Sequence, residues 1–129
     1  GVCVALPPVS KTAIPLGTPK TGFMIESMIT AVCLNIASLT KGKEPRAVPS
    51  LNAMCLADFG DQGIAFVAKP QIPPRNVNWS SHGRWVHGAK IAFEKYFLKK
   101  IRTGRADTFY EKAGLKLLGL DKLREVRTE

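Results

Sequence analysis

Residues 22–40 constrain the fold most: an apolar stretch opened by Thr18-Pro19 and closed by Lys41-Gly42-Lys43. Threonine supplies an N-cap oxygen, proline is tolerated at the first helical position, and glycine among cations suits a helix end. Projected at about 100° per residue, Phe23, Met24, Ile25, Met28, Ile29, Val32, Leu34, Ile36 and Leu39 cover most of the circumference. Only Glu26 and Thr30 leave a polar strip, so the helix is expected to be buried on several sides. A chain of 129 residues encloses one modest core. It is therefore one domain or part of a larger one, and the apolar start Gly1-Val2-Cys3-Val4-Ala5-Leu6 reads as a strand end whose partners lie elsewhere, which marks the chain as a fragment. No run of charge-free apolar residues is long enough to span a bilayer, and no signal peptide is evident.

The formal charge of +9 favours an acidic partner surface: nucleic acid, an anionic membrane or an acidic protein. Much of it is local, since residues 84–105 hold seven Lys or Arg against Glu94 alone. Three widely spaced cysteines, Cys3, Cys33 and Cys55, fit neither a disulfide scaffold nor a zinc site.

Prolines 7, 8, 15 and 19 make residues 7–20 an extended connector. After a linker at 45–49, residues 51–58 and 64–69 are short apolar runs around Phe59-Gly60-Asp61-Gln62-Gly63, the pattern of two antiparallel strands joined by a loop. The two-residue period sets Leu51, Ala53, Cys55 and Ala57 on one face. Residues 70–74, with three prolines, are expected to end the sheet. From about residue 81 the period becomes helical: Trp85, Val86, Ala89, Phe93, Tyr96, Phe97 and Ile101 form an apolar arc opposite Lys95, Lys99 and Arg102, with Lys90 inside the arc. Residues 109–120 form a second amphipathic helix, and 121–129 a charged tail expected to fray.

Three features bear on function, and each has a plain alternative. Lys20-Thr21-Gly22 at a helix start favours nearby negative charge, yet capped helix starts are common. Cys55 is either a redox thiol or an inert buried side chain, since free cysteine is among the most buried residue types. Residues 85–101 suit an interfacial helix, a core helix with a solvated basic face, or a nucleic-acid reader; the segregation of aromatics from cations argues against the last. His82, His87, Asp58 and Asp61 make no recognised metal spacing and read as surface residues.

Several longer strings carry a resemblance. They are Ala5-Leu6-Pro7-Pro8-Val9, Pro19-Lys20-Thr21-Gly22-Phe23-Met24-Ile25-Glu26-Ser27-Met28, Asn52-Ala53-Met54-Cys55-Leu56-Ala57-Asp58-Phe59-Gly60-Asp61, Pro70-Gln71-Ile72-Pro73-Pro74-Arg75, Gly83-Arg84-Trp85-Val86-His87, Ala89-Lys90-Ile91-Ala92-Phe93-Glu94-Lys95-Tyr96-Phe97 and Phe109-Tyr110-Glu111-Lys112. In this order they resemble the C-terminal region of the sulfide:quinone oxidoreductases, flavoproteins with two dinucleotide-binding folds. The resemblance implies a membrane-associated enzyme that oxidises sulfide and passes two electrons through FAD to quinone. It assigns Cys55 as a redox cysteine whose partner cysteine lies upstream, and Lys20, Thr21 and Gly22 as the helix end facing the flavin. It assigns Lys90, Phe93 and Leu56 to a quinone pocket. Leu51 and Leu56 depart from the family's aromatic residues, Cys3 and Cys33 match no redox cysteine, and 117–129 match loosely.

The reading is an α+β fragment: a strand remnant, a buried helix, a two-stranded antiparallel hairpin and two C-terminal amphipathic helices. Residues 1–44 would be a remnant of the FAD domain, 45–80 the hairpin and Pro-rich loop, and 81–129 the membrane-facing helices. FAD belongs to the intact enzyme and is not expected on the fragment, which has no Gly-x-Gly-x-x-Gly site and is expected to be inactive alone. Partners are sulfide, quinone and a membrane surface, without nucleic acid, in a peripheral location, and the exposed apolar arc favours self-association. The alternatives are a flavocytochrome sulfide dehydrogenase, an NADH:quinone oxidoreductase, or a stand-alone basic module for membrane or nucleic acid.

Overall fold

The computed structural model describes residues 3–6, 13–14, 17, 19–72, 74–105 and 108–124. Thr18, Pro73, most of the connector prolines and residues 125–129 lie outside the described residues. Its elements are α1 (Gly22–Leu39), β1 (Val48–Pro49), β2 (Ala53–Asp58), β3 (Gly63–Lys69), β4 (Val77–Gly83), α2 (Arg84–Thr103), α3 (Phe109–Leu117) and β5 (Leu123–Arg124). The α+β class stands, with the hairpin extended by a third strand in the antiparallel order β2-β3-β4. Sequence reading ended the sheet at the proline loop and started a helix near residue 81. In fact the chain turns back, Asn76 N–H bonds Lys69 O at 2.7 Å, and β4 forms on the free edge of β3. Residues 77–83 carry only Val77 and Trp79 as large apolar side chains, so their pattern hid a strand that depends on that edge for its hydrogen bonds.

Helix α1 starts where expected, but its cap differs: Thr21 is the N-cap and its Oγ1 accepts from Met24 N–H at 3.4 Å. Burial is also narrower than expected. Phe23, Met24, Ser27, Met28 and Ala31 are buried, whereas Ile29, Val32, Leu34, Ile36 and Leu39 are exposed. Positions 24, 27, 28 and 31 make one helical stripe, and it packs on β1, β2 and β5. By length and composition α1 could cross a bilayer. Its packed stripe and the ion pairs of Glu26 with Lys100 and Lys122 place that side inside the protein instead.

The linker is tied down. Asn35 mimics a strand partner, its Nδ2 donating to Ala47 O at 2.9 Å and its Oδ1 accepting from Ala47 N–H at 2.8 Å. The tail is also ordered where it is described, because Val48–Pro49 pairs with Leu123–Arg124. Ser27 Oγ reaches the carbonyls of Ser50 and Lys122 at this junction, so a buried hydroxyl on α1 is satisfied by the residues next to the two short strands. Of the strand end expected at residues 1–6, residues 1 and 2 lie outside the described residues, and residues 3–6 are turn and irregular backbone with which no described strand pairs.

Two glycines permit α2 to land on the sheet. Gly83 is its N-cap at φ 142°, a backbone region that side chains rarely adopt. At Gly63 a Cβ would lie 2.6 Å from Ala57 O and 2.7 Å from Val86 Cγ1, with Val86 fully buried. Gly63→Ala should therefore destabilise by at least about 2 kcal/mol through overpacking against backbone and a core side chain. Chemical denaturation measures this; an unchanged midpoint would show that α2 does not seat there.

Candidate functional site at the β2–α2 interface

Strand β2 is unbroken and paired residue for residue with β3, from Ala53 opposite Ala68 to Asp58 opposite Gly63. Its side chains therefore alternate strictly. Asp58 lies on the α2 face, because its carboxylate meets His87 Nδ1 at 2.9 and 3.1 Å. Met54 and Leu56 share that face. Cys55 points to the other side with Ala53 and Ala57, opposite Phe66 on β3. The thiol is half-buried and free, whereas Cys3 and Cys33 are exposed.

On α2, Val86 is the buried anchor, and Lys90 and Phe93 follow at helical spacing along the same side of the helix, Phe93 being exposed. Lys90 Nζ reaches Leu56 O at 3.5 Å, the long limit for a hydrogen bond. Phe93 stacks on Phe97 with ring centroids 5.8 Å apart and lies 6.3 Å from Tyr96. The structure thus brings Lys90 to Leu56, with Phe93 one turn further along α2, and sets Cys55 across the sheet from them. Lys20, Thr21 and Gly22 stand apart at the start of α1. There Thr21 caps the helix, Gly22 is exposed, and a Cβ at Gly22 would meet no atom within 4 Å. A helix start with an adjacent lysine and an open glycine fits an electron-rich ring edge brought up from outside the segment.

Sequence reading dismissed the Asp58–His87 pair, whose members are separated by 29 residues. The usable signal was alternation, which sets Asp58 on the Leu56 face. Asp58 is held below its ordinary value by a backbone hydrogen bond from Gly60 at 3.0 Å, which with His87 and Lys90 outweighs the effect of desolvation.

A second constellation, also missed, joins three helices. Lys100 pairs with Glu26 and with Glu111 at 2.9 Å, and Lys122 pairs with Glu111 and with Glu26 at 3.1 Å. Tyr96 donates to Glu111. Burial alone would raise the Glu111 carboxyl, but hydrogen bonds from Lys122, Tyr96 and Lys100 carry it down to about 2. Burial likewise opposes the charged forms of Lys100 and Lys122, yet the bonds to Glu26 and Glu111 raise both above their ordinary value. Helical projection had placed Lys95, Lys99 and Arg102 together as the solvated face; Lys100, next in sequence to Lys99, turns inward, its side chain only 9% exposed. No group of metal-ligating side chains occurs among the described residues.

No family model matches the chain. Over 113 residues, 87% of its length, it is 49% identical to a sulfide-quinone reductase of Aquifex aeolicus, of which it covers 26%. The X-ray structure of the sulfide:quinone oxidoreductase from the same hyperthermophilic bacterium superposes with a TM-score of 0.90 at 42% identity, covering 99% of this chain and 30% of that one. The chain therefore spans between a quarter and a third of the length of these relatives.

The ion cluster has a defined pH signature. Glu111 titrates near 2 when folded and near 4.5 as a free side chain, so its contribution is complete above 4.5 and is lost as pH falls toward 2. Glu111→Gln should cost about 2 kcal/mol at neutral pH, after allowance for residual solvent. Its deficit should shrink as unfolding is measured at pH 5, 4 and 3. A deficit independent of pH would contradict the assignment.

Proposed function

We infer that this chain, which matches sulfide:quinone oxidoreductases in sequence and in structure, is the C-terminal part of such an enzyme and supplies its second redox cysteine and quinone pocket. The single observation that carries this reading is the arrangement at β2: one strand holds a half-buried free thiol on one face and a lysine-bearing aromatic helix on the other. An enzyme that takes electrons from sulfide and gives them to a quinone needs two substrate sites kept apart. A sheet between them keeps a nucleophilic thiolate away from an electrophilic quinone.

FAD, when bound by the intact protein, accepts two electrons from sulfide sulfur and delivers them to quinone. The residues of this chain act around it. Lys20, Thr21 and Gly22 would hold its electron-rich edge at the start of α1, where unpaired N–H groups and the lysine favour negative charge. Cys55 works with a second cysteine outside this segment, and the pair forms the disulfide or sulfur bridge that sulfide attacks. Attack forms a sulfur–sulfur bond to one cysteine and expels the other as thiolate. Lys90 offers an ammonium proton to a quinone oxygen, Phe93 stacks on the ring, and Leu56 lines the pocket.

The exposed aromatic residues Trp85, Phe93 and Phe97 on α2, with Phe109 and Tyr110 on α3, support a peripheral membrane surface, since aromatics flanked by Lys and Arg seat at the lipid interface. A lipid-soluble quinone would enter from that side. The exposed apolar face of α1 supports burial against the remaining flavoprotein domains, and self-association of the segment when they are missing.

Cys55→Ser in the full flavoprotein should lower sulfide-dependent quinone reduction by on the order of 10³-fold or more while leaving flavin content unchanged. Turnover within about tenfold of the wild type would remove the thiol from the reaction.

A further inference from the structure

Beyond the residues that the family resemblance assigns, the β2–α2 interface has a second polar rung. Strand β2 presents Leu56 O and, two residues on, the Asp58 carboxylate; α2 presents Lys90 and, one turn earlier, His87. The rungs are parallel: Lys90 meets Leu56 O at 3.5 Å and His87 Nδ1 meets Asp58 at 2.9 Å. The side chains of His87 and Asp58 are 41% and 23% exposed, so this rung touches water, and Lys90 is half-buried, as His87 is. Asp58 also feels the charge of Lys90 directly.

Quinone reduction consumes two protons with its two electrons. If Lys90 gives one, its amine is left neutral at a half-buried position and must be recharged before the next turnover. We propose that His87 and Asp58 are the proton-supply pair that recharges Lys90, making them positioning residues for the quinone half-reaction. The inference rests on the functional reading above. Lys90 Nζ loses a proton to the nearer quinone oxygen; His87 passes a proton through the Asp58 carboxylate, or water on it, to Lys90; His87 regains its proton from bulk water. The other quinone oxygen takes its proton from water, and the two electrons come from sulfide by way of the flavin. The weak Lys90 contact suits this role, because an ammonium held at the limit of hydrogen bonding is free to turn toward a substrate oxygen.

The test uses the full flavoenzyme with His87→Gln and Asp58→Asn, a short-chain ubiquinone, and stopped-flow absorbance of the flavin. Three results are expected together. Flavin reduction by sulfide stays within about twofold, flavin reoxidation by ubiquinone falls by about tenfold or more, and added imidazole restores most of the loss in His87→Gln. Ubiquinone affinity, measured without turnover by tryptophan fluorescence quenching, should be unchanged in both variants. Reoxidation within about twofold of the wild type in both variants overturns the inference. So does a slowing accompanied by weaker ubiquinone binding and no imidazole rescue, which would make the pair a structural latch between β2 and α2. If the wild-type enzyme itself fails to pass electrons to ubiquinone, the functional reading falls, and with it this inference.

Discussion

Strand β2 has a period of two residues and no bulge, and the chemistry of the molecule hangs on that. A one-residue slip would carry Cys55 to the α2 side and send Leu56 and Asp58 away from Lys90 and His87. Three things hold the register against such a slip. The full ladder from Ala53–Ala68 to Asp58–Gly63 fixes it along the strand. Gly63, the only residue small enough beneath Val86, fixes where α2 sits. The Asp58–His87 bond then pins the start of α2 to the end of β2. A single backbone alternation thus sorts a thiol to one side and a cation with aromatic rings to the other.

The remaining helices are set by charge rather than by an extended apolar core. Buried large side chains are few among the described residues, chiefly Met24, Val86 and Leu120. Glu26, Lys100, Glu111 and Lys122 instead converge from α1, α2, α3 and the turn before β5, two anions against two cations, so each charge has an opposite neighbour on both sides. Breaking one partner would strand another that is largely out of water, which makes the cluster costly to disturb even where its net contribution is small. It also fixes the axis of α1 relative to α2, and so the distance between the helix start proposed for the flavin and the face proposed for quinone.

Much of this was legible in the sequence because it is local. The apolar run ahead of Lys41-Gly42-Lys43 located α1 although its cap is Thr21, alternation located β2, and the period of 85–101 located α2 with Lys90 inside its apolar arc. What was not legible depends on residues far apart. Strand β4 has a weak pattern of its own and forms because β3 offers an open edge. Lys100 carried no signal of its own beside the solvated Lys95, Lys99 and Arg102, because its counterion Glu26 lies 74 residues earlier. Asp58 and His87 looked like loop residues for the same reason. The apolar circumference of α1 was read correctly from its residues, but only one stripe is covered within this segment, and an all-round apolar helix still points to further packing partners.

In the proposed enzyme β2 stands between the thiol and the quinone. A crystal structure of the full flavoprotein with bound ubiquinone tests it most directly. The quinone ring is expected against Phe93 with an oxygen near Lys90 Nζ, and Cys55 Sγ on the opposite face of the strand. A quinone in contact with Cys55, or seated on the Phe66 side of the sheet, would contradict it.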